Sequence, residues 1–165
     1  MTSLTDALGF TPTQIMGIDP SLASTGVYTD KPVTIKTKKG EPRMVKLCNA
    51  ISDEIHRSCP DFAVIESLPA NAMSAGLTGQ AQGVVRYALQ VYGVPYLELA
   101  PSSVKKLFAG NGRATKEDMI ERAKLMGVEV KNSDEADAYA MAWCGYFLTG
   151  PADHPAPKGG WKING

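Results

Sequence analysis

The chain has 165 residues, 44% of them hydrophobic and 21% charged, and carries no formal net charge. That is one domain's worth of sequence, enough to bury a core without covalent staples. No run approaches the roughly 18–20 apolar residues of a membrane helix, and the opening MTSLTDALGF lacks the basic region of a secretory signal, so a soluble, cytoplasmic protein is expected.

Residues 1–12 read as a loose leader. TQIMGID (13–19) is a short apolar run ending in an acid, the pattern of a buried strand. Residues 26–29 and 33–37 read as two further strands around an Asp30-Lys31-Pro32 turn, forming an antiparallel meander with the first. Glu41-Pro42 opens a helix that runs to about Cys59, with Val45, Cys48, Ile51 and Ile55 inward and Pro60 as its stop. DFAVIE (61–66) is a fourth strand, again apolar and again ending in an acid. A helix rich in small residues follows over about 73–92, then a fifth strand at 94–99. Three helices are expected at about 102–109, 115–126 and 133–148. The Pro- and Gly-rich stretch 150–165 reads as a flexible tail. The order β-β-β-α-β-α-β-α-α-α implies an α/β fold. Its mixed five-stranded sheet has three antiparallel strands, then two parallel ones, with helices on both faces.

Asp19 and Glu66 occupy equivalent places, each at the end of an apolar strand, where open α/β sheets bind ligands. Turn or cap roles are the alternative. Asp134 and Asp137 are spaced i, i+3 and share one helix face with Met141, Cys144 and Leu148. An acid on an apolar stripe is costly unless it is paired or holds a cation. Asp134 could also serve as a helix-start acid; Asp137 lies too far in for that. Four clustered carboxylates suit Mg2+, with Mn2+ as a substitute, and two such ions would support hydrolysis at phosphorus. Zinc fits poorly, because His56 and His154 have no ligand spacing. The three cysteines are expected to be free, buried thiols.

Basic residues cluster in two segments. Lys31, Lys36, Lys38, Lys39, Arg43 and Lys46 face only Glu41 within 31–46, and Lys105, Lys106, Arg113 and Lys116 face no acid within 101–116. If four acids bind metal, thirteen remain against seventeen basic residues. Either run alone could be a solvated face.

IMGIDPSLASTGV (15–27), FAVIES (62–67), GQAQGVV (79–85), PSSVKKLFAGNGRATKEDM (101–119) and SDEADAYAMA (133–142) together resemble, in order, the motifs of the RuvC Holliday-junction resolvases. The resemblance covers about 15–148 and implies an RNase H-like nuclease domain over 13–149. It implies a homodimer that nicks four-way DNA junctions symmetrically, leaving 5′-phosphate and 3′-hydroxyl ends. It places Asp19, Glu66, Asp134 and Asp137 on the metal ligands. Lys105 and Lys116 fall on DNA-backbone lysines; Lys106, Arg113, Lys36 and Lys38 are further DNA-binding candidates. It puts Gly76, Gly79 and Gly83 on the dimer helix, with packing onto the protein's own sheet as the alternative. Ser67-Leu68-Pro69-Ala70 lacks the aromatic wedge of cellular members, which points to the viral (bacteriophage) branch, to action on forks and flaps as well as junctions, and to the host-cell cytoplasm. Rival readings are an actin-like ATPase using Ser21, Ser24, Thr25 and Gly26 as a phosphate turn, a non-cleaving branched-DNA-binding module, and another RNase H-like nuclease acting on RNA. Tyr87, Tyr92 and Phe108 are expected in the core rather than stacked on bases, and Trp161 and Lys162 in a disordered end.

Overall fold

Three apolar runs, 15–18, 62–65 and 96–97, are continuous rather than alternating, as strands covered on both faces require. In the computed structural model, which describes residues 2–68, 75–151, 154, 156–158 and 160–165, they lie at the centre of one sheet. The elements in chain order are α1 (Leu4–Leu8), β1 (Ile15–Asp19), β2 (Ser24–Tyr28), β3 (Pro32–Lys36), α2 (Arg43–Ser58), β4 (Phe62–Glu66), α3 (Ala75–Val91), β5 (Tyr96–Leu99), α4 (Pro101–Ala109), α5 (Lys116–Leu125), α6 (Ser133–Leu148) and β6 (Ile163–Asn164). The sheet order is β3-β2-β1-β4-β5-β6. β1 pairs antiparallel with β2 and parallel with β4, and β4 pairs parallel with β5.

Successive side chains alternate across the sheet and divide the core in two. Ile15, Phe62, Val64 and Leu97 face α4, α5 and α6, together with Phe108, Met119, Met141 and Cys144. Met16, Ile18, Ala63 and Ile65 face α2 and α3, together with Leu47, Ile51, Val85 and Leu89. The mixed sheet covered by helices on both faces is therefore as expected; α6 spans the expected residues, and α2 and α3 differ from theirs only near their ends.

The structure corrects the sequence reading in several places. The sheet has six strands, not five: Ile163 and Asn164 pair antiparallel with Leu97 and Tyr96. Trp161 and Ile163 pack against the core, and the Trp161 indole donates to the Thr2 carbonyl (3.2 Å). The leader also carries structure: Ser3 and Asp6 form a capping box on α1, and Leu4 is fully buried. Both segments are too short for periodicity to show. On α2 the inward residues are Leu47, Ile51 and Ile55, with Cys48 half-buried and Val45 exposed. Cys59 is exposed at the left-handed residue closing that helix; Cys144 is buried, and all three thiols are free. Tyr87 and Tyr92 lie at the surface, whereas Phe108 is buried as expected. Among the described residues, no helix is long and apolar enough to cross a membrane.

Candidate active site

β1 and β4 run parallel with Ile15 opposite Phe62 and Ile18 opposite Ile65. The next step of that register sets Asp19 beside Glu66 at one edge of the sheet. On the other side of Asp19, its antiparallel partner is Gly26 of β2. Asp19 and Glu66 share the alternation of Ile15, Gly17 and Val64, so both face α6.

α6 reaches them because small residues let backbone meet backbone. A Cβ on Gly26 would sit 2.5 Å from the Asp134 carbonyl carbon, and closer still to its oxygen. A Cβ on Gly17 would lie 2.5 Å from Ala142 N and closer still to Ala138 O. On the helix side, a Cβ on Gly145 would meet Ile15 Cγ2 and Val64 Cγ2 at 2.9 Å each. The N-terminal part of α6, with Asp134 in its first turn and Asp137 just beyond it, therefore lies directly over the end of β1.

Polar contacts hold that turn in place. Asn132 caps α6, accepting from Glu135 N (2.9 Å), and its amide donates to Thr34 Oγ1 (3.0 Å). Glu135, only 2% exposed, accepts from the Thr34 hydroxyl (2.8 Å) and from Lys131 N (2.7 Å). The Ser24 hydroxyl donates to Asp134 Oδ2 (2.5 Å). Sequence reasoning missed both Glu135 and Asn132. Glu135 lies one position off the acidic stripe, and its buried partner comes from β3, about a hundred residues away. The only available signal was Asn132 before a Ser-Asp-Glu run, a helix N-cap pattern.

The four acids act on one another. Burial, then the charges of Glu66, Asp137 and Asp134, push the Asp19 carboxyl well above the usual carboxylate range. Burial, then Asp137, raises Glu66 to about 7, against the pull of a hydrogen bond with Asp19 and the charge of Lys105. Burial raises Asp137 to about 6; Lys105 and Lys116 oppose this, and Asp134 adds to it. Buried acids with no salt-bridge partner among the described residues suit a hard divalent ion bound through oxygen. The donor set fits such an ion, although among the described residues no three His, Cys, Asp or Glu side chains already converge tightly enough to hold one.

Of the basic candidates, Lys105 on α4 and Lys116 at the start of α5 project their charge onto this acid group. Lys106 and Arg113 are exposed on the same α4–α5 segment. Lys36 ends β3 opposite Ser24, and with Lys31 and Lys131 it borders a cleft floored by Thr34, Asn132 and Glu135. Lys38 follows it, exposed. Gly76, Gly79 and Gly83 lie on α3, across the sheet and apart from the acids. Among the described residues a Cβ on Gly76 or Gly83 would meet nothing within 4 Å, so neither glycine is needed for packing onto the described part of the protein's own sheet. Ser67 and Leu68 of the wedge segment are half-buried; Pro69 and Ala70 lie outside the described residues. The turn invoked for an ATPase is taken up internally: Thr25 is buried and hydrogen-bonds the Ser21 backbone, Ser24 binds Asp134, and Gly26 lies under α6.

The family profile described as crossover junction endodeoxyribonuclease RuvC matches residues 15–145. The chain is 42% identical over 105 residues to a protein of that name from Anaeromyxobacter sp. (strain Fw109-5), covering 62% of this chain but only about half (51%) of that relative. It is 35% identical to the Chloroflexus aggregans protein over 147 residues, 78% of this chain and 90% of that one. The structure of T. thermophilus RuvC in complex with a Holliday junction substrate superposes with a TM-score of 0.71 at 25% identity, covering 82% of this chain and 93% of that one. The yeast mitochondrial Holliday junction resolvase Ydc2, at 15% identity and a TM-score of 0.54, shares the fold. Sequence profile, relatives and RNase H-like architecture agree: the chain belongs to the RuvC family.

Proposed function

We propose that this protein is an endonuclease that resolves four-way DNA junctions, and cuts forks and flaps as well, leaving 5′-phosphate and 3′-hydroxyl ends. The observation that carries this is the gathering of carboxylates from β1, β4 and the N-terminal part of α6 at one sheet edge, with the charges of Lys105 and Lys116 near enough to act on them. RuvC-family nucleases are metal-dependent. Asp19, Glu66, Asp134 and Asp137 would hold two Mg2+ ions, with Mn2+ as a substitute. Ions held there would supply activation of a water and stabilisation of the leaving oxygen in displacement at phosphorus. Ser24 fixes the Asp134 carboxylate, and the cap at Asn132 with the Glu135 junction keeps the α6 turn against the sheet.

Lys105, Lys106, Arg113 and Lys116 on one flank, and Lys36 and Lys38 on the other, would take the DNA backbone through its phosphates. The unit that does this is residues 13–149, working in the cytoplasm, of a host cell if the protein is viral. The protein would act as a homodimer through α3. The open space over Gly76 and Gly83 supports this, as do the exposed Met44, Val45, Leu77 and Tyr87. Sedimentation equilibrium should give a dimer that Gly83→Arg dissociates.

The test is cleavage of a labelled four-way junction, a fork and a flap beside a linear duplex, with Mg2+ and with EDTA. Paired, metal-dependent nicks that Asp19→Asn and Asp137→Asn abolish are expected. Junction binding without cleavage in either Mg2+ or Mn2+ would replace this reading with that of a binding module. Cutting of the junction but not of forks or flaps would remove the broader substrate range.

A further inference from the structure

Gln82 is 1% exposed and lies in the middle of α3, where a polar side chain without a partner would be costly. Its amide Nε2 donates to the backbone carbonyl of Glu66. Its Oε1 accepts from Arg86 Nη2 (3.0 Å), which identifies the oxygen end, since a guanidinium only donates. Arg86 is anchored in turn on β5 by an ion pair with Glu98, donating from Nη2 to Oε2 (3.0 Å), while its Nε lies 2.9 Å from Oε1 without being aligned for a hydrogen bond. A chain of side chains thus runs from β5 to the backbone of an acid at the sheet edge.

The sheet itself explains why this carbonyl needs a side-chain donor. Ala63 N and Ser67 N bond β5, to Pro95 O and Leu99 O. By alternation the N–H and C=O of Glu66 face β1. In a parallel ladder its carbonyl would accept from the residue after its partner Asp19. That residue is Pro20, which has no N–H. The ladder must stop one bond short, at the place where Glu66 has to be held.

We infer that Gln82, clamped by Arg86 and Glu98, is a positioning residue of the active site: its amide replaces the hydrogen bond that Pro20 cannot make and so sets the direction of the Glu66 side chain. This rests on the nuclease reading above. Groups that orient a metal-binding side chain commonly matter by about 10–100-fold in metal affinity or activity.

The test compares Gln82→Met, which keeps the length of the side chain but removes its amide, with the wild type. Three quantities are read: kcat as a function of Mg2+ concentration, junction binding in EDTA, and the rise in Tm on adding Mg2+. Gln82→Met is expected to lower kcat, to raise the Mg2+ requirement, each by about 10–100-fold, and to shrink the Mg2+-induced rise in Tm, with junction binding unchanged. Adding Pro20→Ala, which supplies an N–H, should restore part of the loss; a double variant no better than Gln82→Met would overturn the ladder argument. A folded Gln82→Met with the wild-type kcat and Mg2+ response, even at a lower Tm, would show the role to be structural only. If Gln82→Met does not fold, Arg86→Met and Glu98→Gln, both at partly exposed positions, carry the same comparison. If the wild type cuts no branched DNA the nuclease reading falls, while the Mg2+-induced Tm shift still decides the positioning role.

Discussion

Gly26→Ala should damage both stability and cleavage, because the two depend on the same contact. The new Cβ would lie 2.5 Å from the Asp134 carbonyl carbon, closer still to its oxygen, and 3.2 Å from Glu135 N. All three atoms are backbone, so no rotamer change relieves the overlap. α6 must lift from β2 by about 1 Å, against the bonds of Ser24 to Asp134 and of Thr34 to Glu135 and Asn132. Overpacking of this kind costs about 1–3 kcal/mol, which at this chain length lowers Tm by roughly 2–12 °C. The same lift moves Asp134 and Asp137 away from Asp19 and Glu66, and misplacement by about 1 Å can cost on the order of 100-fold in rate. Thermal unfolding and single-turnover junction cleavage measure the two effects. A variant with unchanged Tm and rate would show that backbone contact at Gly26 does not position the α6 acids.

Raised carboxyl pKa values make the metal-free protein lose stability as pH rises. The folded state holds protons that the unfolded chain has already released, so stability that is complete below the ordinary carboxyl values of 3.8 and 4.5 is lost as pH rises through the folded values of about 6 for Asp137 and about 7 for Glu66. Tm measured in EDTA should therefore fall between about pH 4 and 7; a flat profile would contradict the burial of these acids. Glu135→Ala should cost about 2–4 kcal/mol, since it leaves the Thr34 hydroxyl and Lys131 N–H without their buried acceptor; chemical denaturation would read this, and a loss below 1 kcal/mol would mean that water replaces the carboxylate. Lys105→Ala and Lys116→Ala should each weaken junction binding and flatten the plot of log affinity against log salt by about 0.9. Unchanged slopes would remove these lysines from the phosphate contacts.

Much of this architecture was legible locally. Apolar runs ending in Asp19 and Glu66 marked two buried strands and an acid at the tip of each. The i, i+3 spacing of Asp134 and Asp137 on an apolar stripe identified acids facing inward. These signals survive because strand and helix periodicity belong to a few adjacent residues. The stripe on α2 was misplaced by local reading: Val45 fits the spacing but faces solvent, while Leu47 packs against the sheet. Either face of that helix offers apolar residues, and only the partner selects one.

The tertiary structure alone decided what depends on distant partners. Glu135 is buried because Thr34 and the Lys131 backbone meet it there. β6 exists because Trp161 and Ile163 find the core and the free edge of β5. Gly17 and Gly26 read as ordinary strand glycines until α6 is seen lying on them. Gln82 reads as one more polar residue until Pro20, sixty-two positions earlier in the chain, leaves the Glu66 carbonyl without a donor. The sequence by itself determined which residues are acidic, apolar or small, and their local periodicity. Which of them meet was decided by strand register and close backbone approach, interactions between segments far apart in the chain that no short window contains.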